Sequence, residues 1–304
     1  MISKKIFFFL IILFFHINYI YSSEVNIVTK VNSEILTNID IENESKYLLI
    51  INTNLKNLNK NELYELSKNS LIRHILKREE TEKYFKLEKN SELGDKLLYE
   101  NFTSLGFDNK EKFSNFLNKE GINIEIFREK LLIERLWNSL IYKKFKNKIK
   151  VDEQEIRNKI KKLINDQEQI YEYNLSEILF DLNTDYNQLN DFIDKYGFEA
   201  AAGKYSISDT STNGGKIGWI KINNVTEILR KQISKLSEGQ ISEPITTPNG
   251  SLLIKLNKKK ELKNRIDLDL EIKRQINFEQ NRQLNIFSLN FYKKIKQNSM
   301  INEY

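Results

Sequence analysis

The sequence predicts an α+β fold in which helices from both ends of the chain enclose a central, turn-rich segment. Glycine and proline are scarce in the 304 residues, ten and two respectively, and seven of the glycines and both prolines lie between residues 197 and 250. Apolar residues recur at helical spacing on either side of this region, and strand-like alternation occurs within it. With 40% hydrophobic and 30% charged residues, the chain has the composition of a folded protein with solvated, charged faces.

The N-terminus resembles an export signal. Lys4 and Lys5 precede an unbroken apolar run of ten residues, Ile6 to Phe15, which is shorter than the ~20 residues that a membrane-spanning helix needs. We predict a signal peptide over residues 1–23, cleaved near Ser22 or Ser23. An uncleaved segment would instead tether the chain to the membrane. Removal of residues 1–23 would lower the net charge from +6 to +4, because two lysines and no acidic residue are lost.

The composition excludes several classes of chemistry. The chain has no cysteine, so disulfides, thiolate metal sites and cysteine nucleophiles are excluded, and its two histidines, His16 and His74, cannot form a multi-histidine metal site. We therefore predict no metal and no cofactor. No phosphate-binding loop is present, and basic and acidic residues are interspersed. This argues against a nucleotide or a nucleic acid as partner.

The pattern of the first half of the chain predicts a hairpin followed by helices. Residues 25–31 alternate apolar and polar and lead into an Asn-Ser turn, and Thr37 with Asp40 then forms a capping box that opens a helix to about Ile51. Apolar residues at helical spacing predict helices over 61–77 and 124–145. Another helix is predicted from Asp152 to about Ile164, and the polar run 165–169 that follows it is a candidate domain boundary.

The second half begins with a strand and ends with an amphipathic helix. Strands are predicted over 170–180, 216–219 and 251–256, with helices over 184–196, 198–204 and 225–236 and a tight turn at residues 213–215. Near the C-terminus, one helical stripe is apolar on an otherwise polar segment: Leu284, Phe287, Phe291 and Ile295. Because such a stripe must be buried, we expect this helix to pack on the N-terminal helices.

Two stretches of the central segment resemble the parvulin-type peptidyl-prolyl isomerases (rotamases). They are YS…NGGKIGW at 205–219 and LSEGQISEPITTPNG at 236–250, followed by an apolar strand. The flanks, at residues 31–41 and 151–156, resemble the SurA-type periplasmic chaperones. The resemblance implies four parts: a signal peptide (1–23), a helical N-terminal chaperone domain (24–165), one parvulin-like domain (170–258) and a C-terminal helix that packs on the N-terminal domain (259–304).

The family resemblance implies a function in the periplasm. We expect an ATP-independent chaperone that binds unfolded exported polypeptides, with outer-membrane proteins as its clients; the alternative is an active isomerase that assists folding of exported proteins. Aromatic residues of the helices are candidates for a client groove, although each also fits a core position: Phe113, Phe116, Phe127 and Trp137.

Catalysis is in question because two family histidines are replaced. Prolyl isomerisation requires the X–Pro bond to be twisted and desolvated, and the resemblance implies histidines at positions that are Glu177 and Leu252 here. The family's acidic or cysteine position falls on Ser208 or Asp209. Glu177 and Asp209 are therefore the candidate catalytic residues, and Glu177 also fits a solvated strand position.

An apolar substrate pocket could persist without the histidines. Its position maps onto Val225, Leu229 and Ile233, which helix packing on the sheet would explain equally, and Trp219 could stack on a peptide or belong to the core. The sequence Arg73-His74-Ile75-Leu76 looks like the family's His-Ile-Leu motif. It lies in a predicted helix far upstream, so we interpret it as a chance match.

Overall fold

A computed structural model describes the chain after its predicted signal segment, with four internal gaps: residues 24–87, 92–165, 171–222, 225–261 and 268–304. The predicted signal peptide over 1–23, and most of the predicted boundary at 165–169, lie outside the described residues. Among those residues, no helix is both long enough and apolar enough to cross a membrane.

A three-stranded antiparallel sheet joins the two ends of the chain. The predicted hairpin is confirmed as β1 (Ile27–Val31) and β2 (Glu34–Thr37), with Asn32 in the left-handed region of the turn at φ 53°. The last strand, β7 (Ile301–Glu303), pairs with the other edge of β1. Three residues carry too little alternation to be recognised, so the sequence did not predict β7.

The helical part contains the four helices that the sequence predicts for the first half of the chain, over residues 38–51, 61–77, 124–145 and 152–164. Thr37 caps α1 together with Asp40, whose carboxylate accepts from the Thr37 backbone N–H at 2.8 Å. Two further helices, α3 (Glu92–Ser104) and α4 (Lys110–Lys119), were not predicted, since each has few buried apolar positions. The helices of this part are α1 (Asn38–Ile51), α2 (Lys60–Glu82), α3 (Glu92–Ser104), α4 (Lys110–Lys119), α5 (Ile124–Phe145) and α6 (Glu153–Asn165).

The C-terminal helix packs on the N-terminal helices, as predicted. This helix, α10 (Leu268–Gln297), places its apolar stripe against α5. The Phe291 ring stacks on Trp137 at a centroid distance of 5.6 Å, and the Phe287 ring stacks on Phe145 at 5.0 Å. These contacts partly bury the stripe and join the C-terminal helix to the N-terminal helices.

The aromatic candidates for a client groove are core residues instead. Phe113, Phe127 and Trp137 have no exposed surface, and Phe116 packs partly buried against the same cluster as Phe113. Their rings contact one another or the C-terminal helix, as in the 5.1 Å edge-to-face pair of Phe113 and Phe127. The core interpretation is confirmed for Phe113, Phe127 and Trp137, because packing between α1, α3, α4, α5 and α10 covers these three rings.

The central module is a four-stranded antiparallel sheet with helices on both faces. The strands are β3 (Tyr171–Phe180), β4 (Lys216–Lys221), β5 (Ile245–Thr247) and β6 (Gly250–Glu261), in the order β4-β3-β6-β5. The helices are α7 (Tyr186–Tyr196), α8 (Phe198–Tyr205) and α9 (Glu227–Ile233). This combination of a helical part and a small antiparallel sheet confirms the predicted α+β class.

Alternate residues of β3 enter two different cores. Ile178 and Phe180 belong to a cluster with α7 and α8 that also includes Leu48, Leu55 and Leu66 of the N-terminal part. Tyr173 and Leu175 point to the other face, which α9 covers. The module therefore shares one core with the helices, which fixes the loop between α8 and β4 beside them.

Candidate functional site

The loop between α8 and β4 is hydrogen-bonded to β3 through Gly215. Gly214 and Gly215 have φ of 75° and 76°, and the Gly215 carbonyl accepts from the Glu177 backbone N–H at 2.8 Å. A Cβ on Gly215 would lie 2.2 Å from the Glu177 carbonyl oxygen. Only glycine fits this close approach, which accounts for the tight turn predicted at residues 213–215.

The Glu177 side chain is held by two hydroxyl groups of the same loop. Ser208 Oγ donates to Glu177 Oε1 at 2.8 Å, and Thr210 Oγ1 donates to the same oxygen at 3.0 Å. Burial raises the pKa of the Glu177 carboxyl, and the two hydroxyl groups oppose that rise. The alternative of a freely solvated strand residue is therefore wrong, because the loop covers this carboxylate.

Asp209 contacts the helical part and not Glu177. Its Oδ1 accepts from Lys77 Nζ at 3.2 Å, and its Oδ2 accepts from Ser288 Oγ at 3.3 Å. Desolvation acts against ionisation here, but the positive charges of Lys77 and Arg73 outweigh it and lower the pKa of Asp209. Of the two positions that the sequence left open, Ser208 is the one beside Glu177.

Lys77 joins three parts of the molecule at one buried ammonium group. Its side chain is only 3% exposed and pairs with Glu134 of α5 at 2.8 Å as well as with Asp209. Nζ also lies 5.5 Å from the centre of the Trp137 ring. Burial would lower the pKa of Lys77, but the two carboxylates raise it, so the group stays charged.

The four predicted substrate-binding residues lie on two different faces of the sheet. Val225 and Ile233 are buried in the core under α9, and Leu229 is partly buried against the same core. The pairing register places Ile220 of β4 opposite Tyr173 on this face. Its neighbour Trp219 therefore points to the opposite face.

Trp219 is 43% exposed, and its ring is covered by Lys260 Nζ at 4.3 Å from the centroid. The structure thus brings Val225, Leu229 and Ile233 together and leaves Trp219 apart from them. A strand pattern reveals alternation but not which face a neighbouring helix covers, and for that reason the sequence grouped all four.

Leu252 lies on the face of the sheet that Glu177 shares. β3 and β6 pair Glu177 with Ile254 and Leu179 with Leu252, so Glu177 and Leu252 are diagonal neighbours. Leu252 is buried in the core under α9. The two positions where the family resemblance implies histidines therefore hold a hydrogen-bonded carboxylate and a core side chain.

His74 lies in the middle of α2, which agrees with the interpretation of its motif as a chance match. Burial, together with the nearby charges of Lys130, Arg78 and Lys77, lowers the pKa of His74 well below its usual value. Among the described residues, no group of three or more His, Asp or Glu side chains could hold a metal ion.

A cleft of about 900 Å³ lies on the other side of the same loop. One wall is a single face of α2, at positions 66, 69, 70 and 73, and the opposite wall is a single face of α10, at positions 289, 292, 293 and 296. The loop itself and the end of α8 close the cleft with residues 203–207, 211 and 212. The sequence did not predict these walls. Helical spacing shows that the lining residues share one face of each helix, but it does not show which polar face borders a cleft.

Comparison with known proteins finds a match to a rotamase family within the central module. Residues 181–258 match the rotamase family model, described as a PPIC-type PPIase domain. The chain is 27% identical to the chaperone SurA of Pseudomonas putida over 166 residues, 49% of this chain and 38% of that protein. It is 31% identical to SurA of Burkholderia orbicola over 78 residues, 26% of this chain and 17% of that protein.

A solved structure from Campylobacter jejuni, described with the SurA-like chaperones PEB4 and Cj1289, aligns with a TM-score of 0.39 at 16% identity. That alignment covers 91% of this chain and 98% of the other. The sequence match spans well under half of the Pseudomonas putida SurA, at 38% of its length. The domain limits 24–165, 170–258 and 259–304 stay predictions.

Proposed function

We propose that this chain, which carries a PPIC-type rotamase domain and is a homologue of the SurA chaperones, is an ATP-independent chaperone of the periplasm. Its clients would be unfolded exported polypeptides, outer-membrane proteins among them. The observation that carries the proposal is the 900 Å³ cleft between α2, α10 and the loop of the central module. A cleft of this size accepts a stretch of extended chain and is within the range of ordinary ligand sites.

The cleft suits weak and adaptable binding. Its lining combines apolar side chains such as Leu289 and Tyr292 with hydroxyl and amide groups such as Ser70 and Asn69. Apolar contacts bind many sequences because they are non-directional, and the polar groups satisfy the backbone of an extended chain. Such binding and release needs no energy source.

The alternative function, prolyl isomerisation, would have to proceed without the family's histidines. Glu177 with Ser208 and Thr210 offers one carboxylate and two hydroxyl groups, whereas Leu252 offers no polar atom. The hydroxyl groups are engaged with the carboxylate, and Val225 and Ile233 are occupied with core packing. We therefore propose that binding, and not catalysis, is the principal activity.

The test of the chaperone function is suppression of aggregation. The purified chain without residues 1–23 is mixed with an unfolded outer-membrane protein, and light scattering is followed upon dilution from urea. We expect scattering to fall as the chaperone approaches an equimolar ratio. Leu289→Ala, in the cleft wall, should weaken this effect, whereas Leu270→Ala, on the same helix but outside the cleft, should not. Unchanged scattering at severalfold excess would refute the proposal.

The isomerase alternative is tested in parallel on a panel of X–Pro peptides. We expect rates equal to the uncatalysed background. Catalysis that Leu229→Ala reduces would show that the apolar side chains under α9 sustain turnover, and the alternative function would then hold. Export is tested by N-terminal sequencing of the protein recovered from the periplasm, where we expect a new N-terminus near residue 23.

A further inference from the structure

We propose that the cleft selects client segments in which acidic residues flank apolar ones. The inference rests on the proposed function and adds the chemistry of the clients. It follows from the charges in the lining: Arg73, Lys204, Lys293 and Lys296 face only Glu65 and Asp181. The balance of these charges depends on which of them already have partners of opposite sign.

Both acidic residues of the lining are already neutralised within the protein. Glu65 pairs with Lys68 at 2.8 Å, and Asp181 pairs with Lys293 at 3.4 Å. Hydrogen bonds from backbone N–H groups and the charge of Lys293 lower the pKa of Asp181, so that carboxylate is ionised at neutral pH. Neither acid is therefore available to compensate the remaining cations.

Two of the cations have no acid of their own. Arg73 donates to the neutral Ser211 hydroxyl at 2.8 Å and lies 5.9 Å from the centre of the Tyr292 ring. The carboxylate near it, Asp209, is already bonded to Lys77. In the part of the chain that the structure describes, Lys296 is exposed and forms no ion pair. Lys204 pairs with Glu62 at 3.4 Å, the same distance as the pair of Lys293 and Asp181, so the unbalanced cations are Arg73 and Lys296.

The cations lie beside apolar side chains of the cleft. Arg73 lies 5.9 Å from the centre of the Tyr292 ring, and Lys296 is seven residues from Leu289 along one face of α10, a separation of two helical turns. A bound segment with apolar residues against Tyr292 and Leu289 would therefore place its flanking residues near positive charge. Carboxylates there gain attraction, and ammonium groups meet repulsion.

The experiment compares two fluorescent peptides with the same apolar residues, one flanked by aspartates and the other by lysines. Binding to the chain without residues 1–23 is measured by anisotropy at low and at high salt. We expect the acidic peptide to bind about fivefold more tightly at low salt, as two partly exposed charge pairs allow. This preference should shrink at high salt, because screening weakens exposed pairs.

Two lysines of the last turn of α10 provide a matched pair of variants. Lys296→Gln, in the cleft wall, should lower the preference for the acidic peptide about twofold, and Lys296→Glu should lower it further. Lys294→Gln makes the same change of net charge on an exposed residue outside the cleft, and it should leave the preference unchanged.

Equal affinity for the two peptides would overturn the charge selection while leaving the chaperone function standing. Equal effects of Lys294→Gln and Lys296→Gln would overturn it as well, since the preference would then come from the overall charge. Binding of neither peptide, nor of an uncharged peptide with the same apolar residues, would instead count against the proposed function itself.

Discussion

Ser208 and Asp209 are adjacent in the chain, yet their side chains contact opposite parts of the molecule. Ser208 Oγ donates to Glu177 Oε1 of the central sheet at 2.8 Å, whereas Asp209 Oδ1 accepts from Lys77 Nζ of the helical part at 3.2 Å. The loop that covers the position of a family histidine is therefore the same loop that binds the module to α2. Its residues 211 and 212 also line the cleft.

The bond between Asp209 and Lys77 should stabilise the native protein to a modest degree. We expect Asp209→Asn to lower the free energy of unfolding by about 1 kcal/mol or less at pH 7, because the carboxylate is 45% exposed and solvent screens the pair. A double-mutant cycle with Lys77→Met, measured by urea unfolding, isolates the interaction. Glu227→Gln, a change in an exposed helical residue, is the control. A coupling energy of zero would contradict this prediction.

The pair of Asp209 and Lys77 should also make the stability of the protein depend on pH. The pKa of Asp209 is lower in the folded protein than its usual value of 3.8. Its stabilisation is therefore present above that value and is lost as the pH falls through the lower, folded-state pKa. The stability difference between the wild type and Asp209→Asn should shrink on acidification toward pH 3. A difference that stays constant down to pH 3 would be inconsistent with an ionised, paired Asp209.

Glu177 should show the opposite pH dependence. Burial raises the pKa of its carboxyl above 4.5, so its contribution to stability is fully present below that value and is lost as the pH rises through the folded-state pKa. Glu177→Gln keeps an oxygen for Ser208 and Thr210 and removes the buried charge. We expect this variant to gain stability relative to the wild type as the pH rises from 4 to 7, in urea unfolding measured at both pH values. Glu177→Ala, which leaves both hydroxyl groups without their acceptor, should be destabilised at every pH.

Gly215 should be the least replaceable glycine of the loop. Alanine there would need a left-handed φ and would also bring its Cβ within 2.2 Å of the Glu177 carbonyl oxygen. We expect Gly215→Ala to cost about 3 kcal/mol or more of unfolding free energy. Gly239→Ala has a similar φ of 87° with open space around the position, so it should cost only about 1 kcal/mol. Equal costs would show that the steric contact plays no part.

The Ser288 hydroxyl should contribute more to the stability of the folded protein than the small size of the side chain suggests. Its hydroxyl accepts from the buried Trp137 Nε1 at 2.9 Å and donates to Asp209 at 3.3 Å. Ser288→Ala would leave the indole N–H buried without a partner, at a cost of about 1–3 kcal/mol. Ser139→Ala, a half-buried position on α5 whose hydroxyl donates to the Arg135 carbonyl of its own helix, should change stability by less than about 0.5 kcal/mol. Thermal or urea unfolding of the two variants checks the difference.

Local signals predicted most of the secondary structure. The capping box of Thr37 and Asp40 sets the start of α1, and the stripe from Leu284 to Ile295 identifies α10 and its buried face. The strand β7 was missed because three residues have no readable period. Helices α3 and α4 were missed because each presents only a few apolar side chains to its neighbours.

The sequence by itself determined where the helices and strands lie, that the two chain ends meet and which family the central module resembles. Caps, turns and periodicity act over a few residues, so they can be read from the chain alone. Only the tertiary structure decided that Trp219 points away from Leu229, that a loop buries the Glu177 carboxylate, and that Arg73 and Lys296 line one cleft. The exposure, charge balance and pKa of a side chain depend on atoms far away in the sequence, which only the folded chain brings near.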